Sequence, residues 1–309
     1  MKIVYAGAPE FSVAPLKKLL EEGFCVAAVV TQPDKPVGRK AVMTPTPLSA
    51  FARGAGIPVY AFPKIREHVS ELRSLGADLM VTCAYGQILT QEVLDAFPMG
   101  VYNIHASLLP RWRGASPVQH AVLSGDPVTG VTVMKTDAGL DTGDMLLRRE
   151  LPVLPEDTAG SLSEKLSALG GECIAEALRA LQEGRASFEK QDGSLSTLCK
   201  KIRKEDCAVD FSESAATVCR LIRAMAPAPL AYAYLNGKLV NFYFAEPAEG
   251  CGRAGEVVRA DKTGIYVAAA DGTVRVTELQ AEGGKKMRAA DFVNGRKAAV
   301  GDVFVKERT

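Results

Sequence analysis

Several things are missing from this sequence, and each absence narrows what it can be. No apolar run approaches the roughly 20 residues that a bilayer-spanning helix requires, so no membrane partner is expected. The chain opens on MKIVYAG, which already reads as a strand. No basic segment leads into an apolar one and no Arg/Ser-rich stretch stands before it, so neither export nor organelle import is expected and a cytoplasmic protein is. The seven cysteines (Cys25, Cys83, Cys173, Cys199, Cys207, Cys219 and Cys251) are odd in number and never in C-x-x-C spacing. That argues against a disulfide framework and against a zinc site, and it fits a reducing compartment. Two nucleotide signatures are also lacking. YAGAPEF does not match G-x-G-x-x-G and no P-loop occurs, which sets aside a dinucleotide dehydrogenase and a nucleotide hydrolase.

What is present points to two folded parts. At 309 residues the chain exceeds what one hydrophobic core usually supports. In the first half, near-continuous apolar runs of strand length alternate with amphipathic stretches: residues 2–7, 25–32, 58–62, 78–86 and 100–105. Strands apolar on both faces, separated by helices, predict right-handed βαβ crossovers and a mostly parallel, Rossmann-like sheet. Residues 130–137 and 144–153 alternate and are expected to extend it. The SLSE at 161–164 reads as a capping box starting a long helix that ends near Gly184. After about residue 190 the texture turns polar and basic, which reads as a linker. Beyond it one short helix (214–225) and several short strands punctuated by Asn-Gly and Asp-Gly predict a small antiparallel, OB-like barrel. The expected division is therefore 1–189, a linker at 190–206, and 207–309.

Charge follows the same division. Residues 1–199 hold 19 Lys/Arg against 22 Asp/Glu, whereas residues 200–309 hold 18 against 14. The modest basic excess of the second part is gathered in CKKIRK (199–204) and GGKKMR (283–288), so a polyanion-facing surface competes there with an ordinary solvated one.

The chemistry is expected where a parallel sheet gathers ligands, at the carboxyl ends of its strands. There the stretch VYNIHASLLPRWRG (101–114) places one of only three histidines two residues after an asparagine. Residues two apart on a strand project to the same side, so Asn103 and His105 share one face. A structural Asn-x-His pair remains the plain alternative, as it does for His68 and His120. The acidic, Gly-punctuated TDAGLDTGD (136–144) adds a carboxylate, best Asp141, that can reach the imidazole. An amide, an imidazole and a carboxylate with no nucleophile between them suit direct acyl transfer to an amine. Ser107 lies in no G-x-S-x-G elbow, so a covalent route is disfavoured.

NIHASLLPRWRGASPVQHAV followed by GLDTGDML resembles the folate-dependent formyltransferases. AGAPEFSV (6–13), VVTQPDKPVGR (29–39), AYGQIL (84–89), EDTAGSL (156–162) and DGTVRVTELQAEGGKKM (271–287) are similar to the branch acting on methionine carried by initiator tRNA, a bacterial-type cytoplasmic activity. The resemblance implies 10-formyltetrahydrofolate as donor, initiator methionyl-tRNA as acceptor, no metal, and a monomer. By the same resemblance Asn103, His105 and Asp141 are the catalytic residues. The folate pocket is lined by Ile88, Leu89, Ser107, Leu108, Leu109, Pro110, Ala138, Gly139 and Leu140. tRNA is met by Arg39, Lys40 and Val42 in the 33–47 loop and by Lys200, Lys201, Arg203, Lys204, Lys285, Lys286 and Arg288. The loop departs from the family's fuller basic run, reading Gly38-Arg39-Lys40-Ala41-Val42. RAMAPAPLAYA (223–233) departs too, lacking aromatics around its prolines. Two alternatives stand beside this reading: a related formyltransferase or formyl-folate hydrolase using a small amine or water, and a non-catalytic RNA-binding module.

Overall fold

A computed structural model describes residues 1–38 and 41–308. The chain divides into two compact units, the first comprising Met1–Pro117, Val128–Pro152 and Ser163–Cys199, the second Val118–Pro127, Val153–Leu162 and Lys200–Thr309.

In the first unit the apolar runs become β1 (Lys2–Gly7), β2 (Cys25–Thr31), β5 (Val59–Ala61), β6 (Leu79–Cys83) and β7 (Val101–His105). Between β2 and β5 a small hairpin, β3 (Lys35–Val37) and β4 (Val42–Thr44), occupies what reads from sequence as a loop. The remaining strands are β8 (Arg113–Gly114), β9 (Val128–Lys135), β10 (Met145–Pro152) and β11 (Leu198–Cys199). The main sheet runs β10-β9-β7-β6-β1-β2-β5, parallel from β7 to β5, with β9 and β10 antiparallel at one edge. This is the mostly parallel, Rossmann-like sheet expected. Its central strands are covered on both faces: every residue of β6, and all of β1 but Lys2, is buried.

Strand order reverses at β1, whose neighbours β2 and β6 lead to opposite sides of the sheet; the carboxyl ends of β1 and β6 therefore frame the crevice such folds use. They approach closely. A Cβ on Gly7 would lie 2.6 Å from the Cys83 carbonyl oxygen, so only glycine lets the two ends close up.

Residues 190–199, the first part of the expected 190–206 linker, are tied to the first unit. β11 pairs with β8, and the Arg113 and Ala115 N–H groups donate to Thr197 (2.9 Å) and Cys199 (3.1 Å) carbonyls. Polar composition hid this because the pairing satisfies backbone groups and needs little apolar surface.

The long helix runs Ala159–Gln182, starting before the expected Ser161. Thr158 and Ser161 cap it reciprocally, each hydroxyl accepting the other's N–H at 3.2 and 3.0 Å. The reciprocal pair that forms is T-x-x-S, three residues upstream of S-x-x-E.

In the second unit, helix Ala215–Met225 is capped by Ser214 and precedes an antiparallel sheet. Its strands are β12 (Ala231–Leu235), β13 (Lys238–Ala248), β14 (Val257–Asp261), β15 (Gly264–Ala268), β16 (Thr273–Ala281), β17 (Lys286–Arg288) and β18 (Phe304–Val305). The order is β14-β15-β16-β13-β12-β18, with β17 on β16. Backbone bonds join residues 255–257 to 301–304, drawing the outer strands together into the curled, barrel-like shape. Asn236 and Gly237 turn β12 into β13 with φ of 50° and 71°, the left-handed pair a two-residue hairpin demands.

Candidate active site

β7 carries the two polar side chains that its apolar neighbours do not explain. Asn103 is half-buried, and its Oδ1 accepts the Thr82 hydroxyl hydrogen at 2.9 Å from β6. That bond orients the amide and leaves both Nδ2 hydrogens to be offered elsewhere. His105 is buried at the end of the strand, and its Nε2 lies 2.9 Å from the Trp112 carbonyl oxygen. A carbonyl only accepts, so Nε2 carries a hydrogen. The other nitrogen, Nδ1, faces the Asp141 carboxylate with 3.7 Å between Nδ1 and Oδ2, longer than a hydrogen bond.

Asp141 arrives by an indirect path. Because β9 is antiparallel to β7, the loop after it leaves the sheet beside Val101, where the Thr136 N–H meets the Val101 carbonyl at 2.7 Å. His105 is at the other end of β7, so the loop has to return along that strand's length. Asp137 starts the return, its Oδ1 accepting the Gly139 N–H at 3.0 Å and the Thr142 hydroxyl at 2.7 Å. Gly143 makes the return possible: a Cβ there would lie 1.7 Å from the Lys135 carbonyl oxygen. Asp141 itself is left-handed, with φ of 52°. Its Oδ2 accepts the Gly114 N–H at 2.8 Å, which aims the carboxylate at the imidazole.

Other polar groups near these residues have plain roles. The Ser107 hydroxyl donates to the Arg111 carbonyl at 2.6 Å and is buried, so it braces the following turn. Cys199 packs its sulfur 3.3 Å from the Trp112 and Arg113 carbonyl oxygens. Burial first, and the Asp141 charge after it, push that thiol up, so it presents no thiolate to a substrate. Burial likewise pushes the Tyr85 phenol up, and its hydroxyl finds no partner among the described residues.

The remaining expected positions fall into groups. Ile88 is 89% exposed and Leu140 61% exposed, two large apolar side chains with no core to fill. Leu89 packs against the core beneath the 84–89 segment. Leu108 and Pro110 are half-buried, whereas Leu109 is fully buried against Met134 and Met145. Ala138 and Gly139 are exposed. Val42 stands out from the hairpin, while Arg39 and Lys40 lie outside the described residues. In the second unit Lys200, Lys201, Arg203, Lys204, Lys285, Lys286 and Arg288 are all exposed. Among them Lys286 pairs with Glu278 at 2.6 Å and lies over the Tyr243 ring, Arg288 pairs with Asp291 at 3.2 Å, and Arg203 reaches Glu205 at 3.8 Å. Among the described residues no cluster of three His, Cys, Asp or Glu side chains is placed to hold a metal ion.

Sequence reasoning did not find Thr82, the Trp112 carbonyl or the Gly114 N–H. The last two are backbone groups, which carry no residue signal. Thr82 had one: a hydroxyl in an otherwise apolar β6.

The formyl transferase family model matches residues 1–178, and the formyl transferase C-terminal domain model matches residues 201–297. The tetrahydrofolate complex of HypX from Aquifex aeolicus superposes with a TM-score of 0.70 at 21% identity, covering 97% of this chain and 48% of that one. An N-formyltransferase from Helicobacter canadensis, bound to folinic acid and dTDP-3-aminofucose, gives 0.67 at 18%, covering 93% of this chain and 100% of the other. At such identities these two speak for the fold alone. Sequence relatives go further. The methionyl-tRNA formyltransferase of Geotalea uraniireducens is 43% identical over 309 residues, 99% of each chain. That of Ectopseudomonas mendocina is 45% identical over 299 residues, 96% of this chain and 95% of its own. With two matched domains in their expected order and near-complete coverage at this identity, the chain belongs to the methionyl-tRNA formyltransferase family.

Proposed function

We propose that this protein transfers the formyl group of 10-formyltetrahydrofolate to the α-amino group of methionine on initiator tRNA. One observation carries the proposal. His105 and Asp141, 36 positions apart in the chain, face each other at the carboxyl end of β7, and Asn103 stands two residues before His105 on the same strand with its amide nitrogen uncommitted.

The chemistry follows from which atoms are committed. The amine nitrogen attacks the formyl carbon, and negative charge builds on the formyl oxygen. Asn103 Nδ2, whose partner atom Oδ1 is tied to Thr82, donates to that oxygen. The Trp112 carbonyl holds the imidazole by Nε2, so Nδ1 is the ring atom left to act. With a proton on Nδ1 the imidazole joins Asn103 as the second donor. Asp141 accepts the proton that the amine loses, and that proton is passed on to the folate nitrogen as the carbon–nitrogen bond breaks. Fixed donors aimed at a developing oxyanion are the largest single contribution in most such reactions.

The folate is held, in this reading, by Ile88, Leu89, the 107–110 backbone and Ala138, Gly139 and Leu140. Exposed Ile88 and Leu140 fit the flat ring face of a pterin that would cover them. The tRNA is met by the 35–44 hairpin and by the basic residues of the C-terminal part, with 190–206 as the expected linker and 207–309 as the expected tRNA-binding domain. All three reacting groups come from one chain, so a monomer suffices. Acting on charged tRNA places the protein in the cytoplasm.

The deciding experiment is single-turnover formyl transfer to methionylated initiator tRNA, methionylated elongator tRNA and a small amine. Transfer to the initiator first, and to the amine least, is expected. Transfer only to the small amine would overturn the assignment.

A further inference from the structure

Asp141 is a non-glycine residue held left-handed in a loop that has doubled back along its own sheet. Such a conformation persists only where the surroundings over-determine it. One side chain does much of that, and it comes from the segment whose composition reads as linker. The Gln191 Nε2 donates to the Asp141 carbonyl at 2.9 Å and to the Gly143 carbonyl at 2.8 Å. Its Oε1 accepts from Arg113 twice, from Nε at 3.0 Å and from an Nη at 2.7 Å. Two donors and two acceptor sites are all that a carboxamide has, and every one is used.

The same dipeptide thus grips Asp141 at both ends. Arg113, through Gln191, fixes the backbone of Asp141; Gly114, through its N–H, fixes the carboxylate. Arg113 and Gly114 are β8, which is in turn paired with β11 a few residues beyond Gln191. Freeing the Asp141 carbonyl would let the loop relax toward an ordinary backbone, and the carboxylate would swing relative to His105 Nδ1.

We propose that Gln191 is a positioning residue for formyl transfer: it holds the backbone of Asp141 so that its carboxylate stays beside the imidazole. The proposal rests on the function given above. It is specific about chemistry, because Gln191→Glu keeps the size and the acceptors toward Arg113 but removes both donors toward the two carbonyls.

The test compares Gln191→Glu, Gln191→Ala and Arg113→Leu, each alone and with Asp141→Asn. The expected result is a kcat lower by about ten- to a hundredfold in Gln191→Glu, the scale of an ångström-sized misplacement. KM for both substrates should hold within about twofold. In the Asp141→Asn background the same change should cost less than about twofold more, since the two residues act through one group. Arg113→Leu should repeat the pattern from the other side of the carboxamide. The His105 ring resonances of the free protein, identified among three histidines by their loss in His105→Gln, should move in Gln191→Glu as they do in Asp141→Asn. A Gln191→Glu enzyme with wild-type kcat, losses that multiply in full with Asp141→Asn, or unmoved His105 resonances would each overturn the proposal. The resonance comparison needs no turnover. A wild-type protein that fails to formylate initiator tRNA therefore sinks the functional reading without deciding the role of Gln191.

Discussion

Two loops of the first unit to which the proposal gives roles are built on opposite principles. The 136–144 loop is locked throughout: Asp137 ties its start, Gly143 lies against the Lys135 carbonyl, and Gln191 and Gly114 hold Asp141. The 35–44 hairpin has three paired positions and presents Val37, Val42 and Met43 to solvent, each more than half exposed. Its visible tether is at the base, where Gln32 accepts from Lys35 at 2.8 Å and donates to the Tyr85 carbonyl at 2.9 Å. Placing a proton acceptor within a fraction of an ångström demands the first design. Meeting a large, variable surface suits the second.

Substitutions can sharpen or break that contrast. The largest effect is expected at the reacting groups themselves. Asn103→Ala should lower kcat by about 10²–10³, the loss of one oxyanion donor, with KM for both substrates little changed. Stopped-flow single turnovers would check it, and a loss confined to KM would make Asn103 a binding residue. Next comes the locked loop. Gly143→Ala forces a methyl group onto the Lys135 carbonyl and should lower kcat by tenfold or more, along with the melting temperature. Gly38→Ala in the hairpin meets nothing within 4 Å among the described residues, although its φ is 72°. It should cost about 1–2 kcal/mol of stability and leave kcat at saturation unchanged. Equal kcat losses in the two variants would erase the contrast.

The third expected effect is smaller and falls on binding. Val42→Ser with Met43→Ser removes exposed apolar surface and touches no core. KM for initiator methionyl-tRNA should rise several-fold, while kcat at saturation stays within about twofold. The smallest lies in the second unit. Lys200→Gln should reduce the slope of log affinity for tRNA against log salt by about 0.7–0.9, the release of one counterion. An unchanged slope would return Lys200 to the solvated surface.

Much of the architecture was legible because burial is periodic. Strands apolar on both faces marked the parallel sheet, and Asn-Gly marked the β12–β13 turn. The same period-2 logic puts Asn103 and His105 on one side of β7. Asp141 was legible only as a carboxylate in a suitable loop. Its approach depends on β9 being antiparallel, which apolar alternation does not reveal. Gln191 was illegible for a different reason. Its partners are two carbonyls and an arginine about 50 and 80 positions away, and a polar residue in a polar stretch reads as solvated. The helix starting at Ala159 was misplaced because two overlapping capping patterns compete, and local sequence does not rank them.

The reversed direction of β9 also constrains how the protein can vary. Since the acidic loop sets out from the far end of β7, its carboxylate arrives at the imidazole only if the number of residues travelled is right. One residue more or fewer would turn it aside even with every side chain intact. The hairpin has no such arithmetic to satisfy. Attempts to change what the enzyme acylates should therefore lengthen or shorten the hairpin and leave the count between Thr136 and Asp144 alone.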